Sequence, residues 1–363
     1  MAQTAFSFDC NVNQFPSLTW NQLHINRGQL HASVGGETHF RTPVLPDGIR
    51  YERKALAELP AEFTSLPTGM GKSFDSQFDA ALNACNAQVN LYTVAEGRQP
   101  AEAVHLSPET AEGIADTIVY ARKGSSSRFI FEFAGDTSGG GLVGCRIRIV
   151  ACEAARINIA LVNLLNGKSV HFDSVGARLQ DGASVEMTEL QLGGFQSYSG
   201  SCYELAGESA AFTGRLAYLV DRDRSLDVNY IARQTGRKTQ SSMNVNGVIS
   251  DRGAKTWRGT IDFVQGAAEA KGDEQEDVLL VSPTVVNKSL PVILCGEEDV
   301  DGRHGSSIGR LSADMLFYMQ SRGIDALSAK KIMVQSKIAS VSQFIPDEAV
   351  RDRIHRHLEG AFA

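Results

Sequence analysis

The chain has 363 residues, 42% of them hydrophobic and 21% charged, with a formal net charge of −7. This is the composition of a folded protein with a large core, arranged as two or three domains or as one repetitive body with smaller ends. The acidic balance excludes the general basic excess on which nucleic-acid binding leans.

Residues 1–98 read as a mixed, partly helical region. "PSLTWNQLHINRGQLHA", with Trp20, has no sustained period, and Pro60 stops the short apolar spacing of Leu56 and Leu59. Phe74, Phe78, Ala81, Leu82 and Cys85 then recur every three to four residues, which predicts an amphipathic helix. "PTGMGKSF" carries Gly71, Lys72 and Ser73 but has Leu66 where a phosphate-binding loop needs glycine. It reads as a loop leading into that helix.

Residues 99–309 change texture. "RFIFEFA", "CRIRIVA", "RINIALV", "SVHFDSV", "SVEMTELQL", "RLAYLV", "LDVNYIAR", "SSMNVNGVI", "WRGTIDFV" and "DVLLVS" each alternate apolar and polar residues, as half-buried strands do. Gly, Asp, Asn and Ser punctuate the joins. The glycines at 139–141 read as a loop, and "VDRDRSLD" as a solvated turn or edge. A sandwich, a barrel and a solenoid all fit this pattern. The scarcity of tight hairpin turns and the imperfect repeat favour a β-helix, in which each coil stacks only on its neighbours. His171 and Asp173 fall on one side of a strand. With no nucleophile motif beside them, they read as ordinary strand surface.

Residues 310–363 return to helical spacing. Leu311, Met315, Leu316 and Met319 share a face, and Gly323 stops that helix. Leu327, Ile332, Ile338 and Phe344 mark a second helix, and Val350, Ile354 and Leu358 a third. His355 and His357 diverge on that last helix, too far apart for one metal.

The six cysteines, Cys10, Cys85, Cys145, Cys152, Cys202 and Cys295, contain no CxxC pair, so no zinc or four-cysteine cluster framework is expected. The opening "MAQTAFSFDCNVNQF" lacks the basic and apolar regions of a secretory signal, and no apolar run reaches about 18 residues. The expectation is a cytoplasmic chain with reduced thiols and no membrane span. Between the strands and the helices, "LCGEEDVDGRHG" gathers Glu297, Glu298, Asp299, Asp301 and His304. That donor set suits iron or another transition metal, or else a charged turn covering the end of a solenoid.

The stretches "NGVISDRGAKTWRGTIDFVQGAAEAKGDEQEDVLLVS" and "LPVILCGEEDVDGRHGSSIGRLSADMLFYMQSRGI" resemble the SufB/SufD family of iron–sulfur cluster assembly proteins, most specifically in "DV", "HG" and the "LFY..SRGI" run. "FDAALNACNAQVNLYTV" and "TWNQLHIN" resemble that family's N-terminal segments. Gly305 after His304, where the SufB branch shows His-Glu, places the likeness on the SufD side. The resemblance implies a right-handed parallel β-helix with a short mixed N-terminal region and a C-terminal helical cap. It implies a non-catalytic scaffold paired with a SufB-like subunit and the SufC ATPase, serving apo-protein acceptors of clusters. Leu316, Phe317, Tyr318, Arg322 and Gly323 map onto the family's SufC-docking surface. His304 maps onto a histidine that helps hold a transient iron–sulfur cluster at the SufB-facing end, with no permanently bound cofactor. Gly302 stands where some SufD-like chains carry cysteine, which leaves cluster thiolates to the partner. In a small-residue turn, one nitrogen of His304 would be left for iron while Glu298 or Asp299 held the other. Two alternatives stay open: a homodimeric scaffold without SufB, and a β-helix enzyme acting on polysaccharide.

Overall fold

The computed structural model describes residues 6–17, 21–41, 44–109, 112–135, 141–310 and 312–361. Trp20, Gly139, Gly140 and Leu311 lie outside them. The chain opens with an antiparallel hairpin, β1 (Phe6–Val12) and β2 (Gly28–Val34), followed by β3 (Ile49–Lys54), the short α1 (Ala61–Thr64) and α2 (Lys72–Ala84). There follow β4 (Val89–Val94), β5 (Val104–Leu106), β6 (Gly113–Ala121), β7 (Ser126–Gly135), β8 (Leu142–Ala151), β9 (Arg156–Leu165), β10 (Val170–Leu179) and β11 (Ser184–Gln191). The series continues with β12 (Gln196–Leu205), β13 (Ala211–Val220), β14 (Ser225–Gln234), β15 (Gln240–Ile249), β16 (Ala254–Phe263), β17 (Ala270–Leu280), β18 (Val286–Cys295) and β19 (Val300–Arg310). Three helices close the chain: α3 (Ala313–Ser321), α4 (Ala326–Ser342) and α5 (Glu348–Ala361).

The strands from β4 onward alternate between two sheets. The even-numbered strands pair in parallel in one sheet, with β3 added antiparallel at its edge, and the odd-numbered strands pair in parallel in the other. The result is the expected parallel β-solenoid, of about seven turns. Val170 pairs with Gln196, and Gln196 with Ser225, so a turn advances by 26 to 29 residues there.

A recurring corner sets this geometry. Where the chain passes from an even strand to the next odd one, Gly124, Ala154, Gly182, Ser209, Lys238 and Glu269 all take left-handed φ values between 56° and 64°. Each of their amides donates to a carbonyl on the following turn, such as Gly182 to Glu208 and Lys238 to Ala268, so the corners stack. The last of these bonds runs from Glu269 to Asp299 at 2.6 Å.

Three apolar layers result. Between the sheets lie Phe129, Ile147, Ile159, Tyr203, Phe212, Trp257 and Phe263. On the outer face of the odd sheet, Leu190, Ala217 and Val248 meet Val334, Ile338, Val350, Ile354 and Leu358 of α4 and α5. On the outer face of the even sheet, Phe8, Phe74, Phe78 and Phe172 join the hairpin and α2 to the solenoid. The expected stripes of α2 and α5 are therefore buried, except that Cys85 is half-exposed. The expected stripe of α4 needs correction. Leu327, Ile332 and Phe344 are exposed, and the buried face is Ala329, Val334, Ile338 and Val341, because the outer apolar surface of the odd sheet selects it. Among the described residues no helix is long and apolar enough to cross a membrane.

Candidate functional site: the open end of the solenoid

Among the described residues the last strands of the two sheets, β18 and β19, each pair on one side only. β18 carries Leu290, Val292, Ile293 and Leu294, all partly exposed, and Val286 and Ile308 stand exposed at the same end. Unpaired backbone groups beside apolar side chains form a template for another strand.

His304 lies in the middle of β19, exposed, and not in the small-residue turn that the sequence suggested. Its register partner is Glu274 on β17, and the series Ala270, Gly272, Glu274, Glu276 and Val278 faces inward. His304 therefore stands over the mouth of the solenoid interior, and its ring makes no hydrogen bond to a described residue.

Glu298 and Asp299 do not come to it. They occupy the exposed turn before β19, where their amides donate to Glu297 Oε1 at 3.0 and 3.4 Å. The five residue steps from Asp299 to His304 span roughly 16 Å of extended chain, far beyond hydrogen-bond reach. Asp299 instead ends the ladder of corner bonds through its carbonyl. The carboxylates near His304 arrive from one turn earlier. Glu274 is 1% exposed and accepts from Trp257 Nε1 at 2.7 Å. Burial, with Glu276 nearby, pushes its carboxyl up to about 7. Glu276 accepts from Lys255 Nζ at 2.5 Å, and Lys255 also donates to Ser289 Oγ on β18 at 3.0 Å. Ser306 on β19 bonds Glu276 at 3.2 Å. Both edge strands thus sit on a polar floor. Burial lowers the Lys255 pKa despite its ion pair.

Deeper in the interior lies a second polar cluster. His171 and Asp173 are fully buried, not strand surface as expected, because both fall on the inward side of β10. The Nδ1–H of His171 donates to the Val143 carbonyl at 2.9 Å, which leaves Nε2 to share a proton with Asp173 Oδ2 at 2.9 Å. Gln191 Nε2 donates to both Asp173 and Glu189 at 2.7 Å, and Tyr230 donates to the second oxygen of Glu189. Burial, then the Asp173 charge, pushes the Glu189 carboxyl up. Among the described residues no three His, Cys, Asp or Glu side chains converge as a metal site.

The second surface is α3. Ser312 caps it, its Oγ accepting from the Met315 amide at 3.0 Å, and Gly323 takes a φ of +85° that ends it. Phe317 is 73% exposed and Tyr318 59%, while Leu316 turns partly toward the protein. Arg322 stacks over the Tyr318 ring at 5.4 Å. Leu327, 60% exposed, enlarges the apolar area. On α5, His357 Nε2 donates to the Leu192 carbonyl at 3.0 Å, while His355 is exposed on the other side of the helix.

Fold and ends together define a parallel β-solenoid protein whose last two strands are unpaired on one side among the described residues, with a helical appendage showing bare aromatic rings. A family model for the SUF system FeS cluster assembly SufBD core domain matches residues 104–337, and the chain belongs to that SufB/SufD family. Its curated relatives place it as SufD-like. It is 22% identical over 275 residues to the iron-sulfur cluster assembly protein SufD of Escherichia coli (strain K12), covering 73% of this chain and 65% of that one. It is 22% identical over 331 residues to protein ABCI7, chloroplastic, of Arabidopsis thaliana, covering 87% of this chain and 69% of that one. With SufD of Bacillus subtilis (strain 168) it shares 27% identity over 119 residues, which is 27% of that relative's length.

Proposed function

We propose that the chain is a SufD-like, non-catalytic scaffold subunit of a SUF iron–sulfur assembly complex in the cytoplasm. It pairs through β18 and β19 with a SufB-like subunit, and the α3 face with Phe317 and Tyr318 docks the SufC ATPase. His304 gives one imidazole ligand to a cluster formed transiently at the first interface, the partner gives the thiolates, and the cluster leaves for apo-protein acceptors.

The observation that carries this reading is the pair of one-sided edge strands at a single end, with partly exposed apolar residues on β18 and His304 on β19. A second solenoid is the occupant whose shape continues such an edge. Co-purification with a SufB-like protein and an ABC-type ATPase at micromolar concentration tests it. A complex containing all three chains is expected. A chain that captures neither partner and runs as a dimer of itself overturns the reading in favour of a homodimer. His304→Ala is expected to keep the complex and lower cluster content on anaerobic reconstitution.

A further inference from the structure

The interior face beneath His304 is built around one carboxyl group. Glu274 and His304 are register partners on adjacent parallel strands, which puts both side chains on the same face with backbones about 4.8 Å apart. Glu274 crosses the core toward β16, where the missing side chain of Gly259 leaves room for its carboxyl. There Trp257 Nε1 donates to Oε1. The other oxygen, Oε2, is buried and has no hydrogen-bond partner among the described residues. A buried acceptor left open costs about 1–3 kcal/mol, so such an atom marks a place for a donor. The neighbouring Glu276 is already engaged by Lys255 and Ser306. The side chain in register above Glu274 that can supply a donor is the imidazole of His304.

We infer that Glu274 is the positioning residue for His304: when a partner closes the mouth of the solenoid, one ring nitrogen of His304 donates to Glu274 Oε2 and the other is presented outward to iron. This rests on the proposed role of His304 and replaces Glu298 and Asp299 in it. A held imidazole has one tautomer and one orientation, and removal of such an outer partner typically weakens metal retention 10- to 100-fold. Trp257 fixes the carboxyl from the far side of the core, so the chain of contact runs Trp257, Glu274, His304.

The test uses the reconstituted complex with a SufB-like partner, reduced for pulsed electron paramagnetic resonance, in the wild type, H304A, E274L and E274Q. Wild type is expected to show nitrogen coupling from the imidazole, and H304A to lose it. E274L is expected to keep the directly bound nitrogen, to shift the quadrupole coupling of the remote one, and to lose its cluster to a chelator at least ten-fold faster. E274Q, which keeps an acceptor oxygen, is expected to restore both. Coupling present in wild type and unchanged in E274L, with unchanged chelator kinetics, overturns the role of Glu274 while leaving His304 a ligand. Absence of coupling in wild type overturns the ligand role of His304, and this inference falls with it. Because E274L strands the Trp257 N–H, the double variant W257F/E274L is measured beside it, with the same expectation.

Discussion

Ala154 and Gly182 stand at the same corner on successive turns of the solenoid, with φ of 56° and 62°, and the amide of Ala154 donates to the carbonyl of Asp181 just before Gly182. An L-residue in that conformation costs about 1–2 kcal/mol, whereas glycine adopts it without strain. A side chain at 182 would meet nothing within 4 Å. Gly182→Ala is therefore expected to lower stability by about 1 kcal/mol through backbone strain alone, and Ala154→Gly to raise it by somewhat less. Paired denaturant titrations with unchanged slopes would check this.

Glu132 ties the last helix to the solenoid. Its carboxylate accepts from Arg353 of α5 at 2.5 and 2.6 Å and from His105 at 2.8 Å. Despite burial, these partners hold its pKa down at about 2. A carboxyl whose folded pKa is depressed contributes stability above its ordinary value of about 4.5 and loses it as pH falls toward the folded value. Proteolytic release of α5 is expected to rise as pH drops from about 4.5 to 2. Glu132→Gln should weaken the attachment of α5 by roughly 2 kcal/mol at neutral pH.

The interior acids act in the opposite sense. Glu189 and Glu274 both titrate above the ordinary glutamate range, chiefly through burial. Between pH 4.5 and about 7 the folded chain holds protons that the unfolded chain has released, so stability falls as pH rises through that window and levels off above it. Denaturation midpoints measured from pH 5 to 8 should show the decline. It should shrink in Glu189→Gln and in Glu274→Gln, by about 1.4 kcal/mol for each pKa unit removed. Glu189→Ala should instead destabilise at every pH, because it strands the Tyr230 hydroxyl and one N–H of Gln191.

The α3 face makes a contrasting prediction. Phe317 and Tyr318 are mostly solvent-exposed, so Phe317→Asp is expected to move the melting temperature by no more than a degree or two. The same change should weaken binding of an ABC-type ATPase at least ten-fold, since buried aromatic anchors carry interface energy. A thermal scan of the isolated chain reads the first outcome, and calorimetric titration with the ATPase reads the second.

The alternating strands from Phe129 to Leu280 were legible in the sequence because bulky apolar residues contrast with charged ones. β12 was not, since "SYSGSCYEL" is made largely of small residues that give little contrast. Alternation also shows which side chains share a face without showing which face turns inward. His171 and Asp173 therefore pass for surface in the sequence, although the stacked turns bury them. His304 stands out in the sequence both in the acidic run before it and by resemblance, but sequence proximity offers only Glu298 and Asp299 as its neighbours. A parallel solenoid makes neighbours of residues one turn apart, so Glu274, thirty positions earlier by register, stands beside it and Glu298 does not.

The two ends of the molecule are chemically unlike. At the first end the even sheet finishes in β3, which runs against its neighbour and carries Arg50, Glu52, Arg53 and Lys54, while the odd sheet finishes in a three-residue strand beside which the Arg41 amide bonds the Ser107 carbonyl. Charged, short and reversed strands discourage further pairing. Growth by edge addition therefore has one direction and one step: two such molecules joined at their bare ends leave no bare end, and the product is a finite pair and not a fibre.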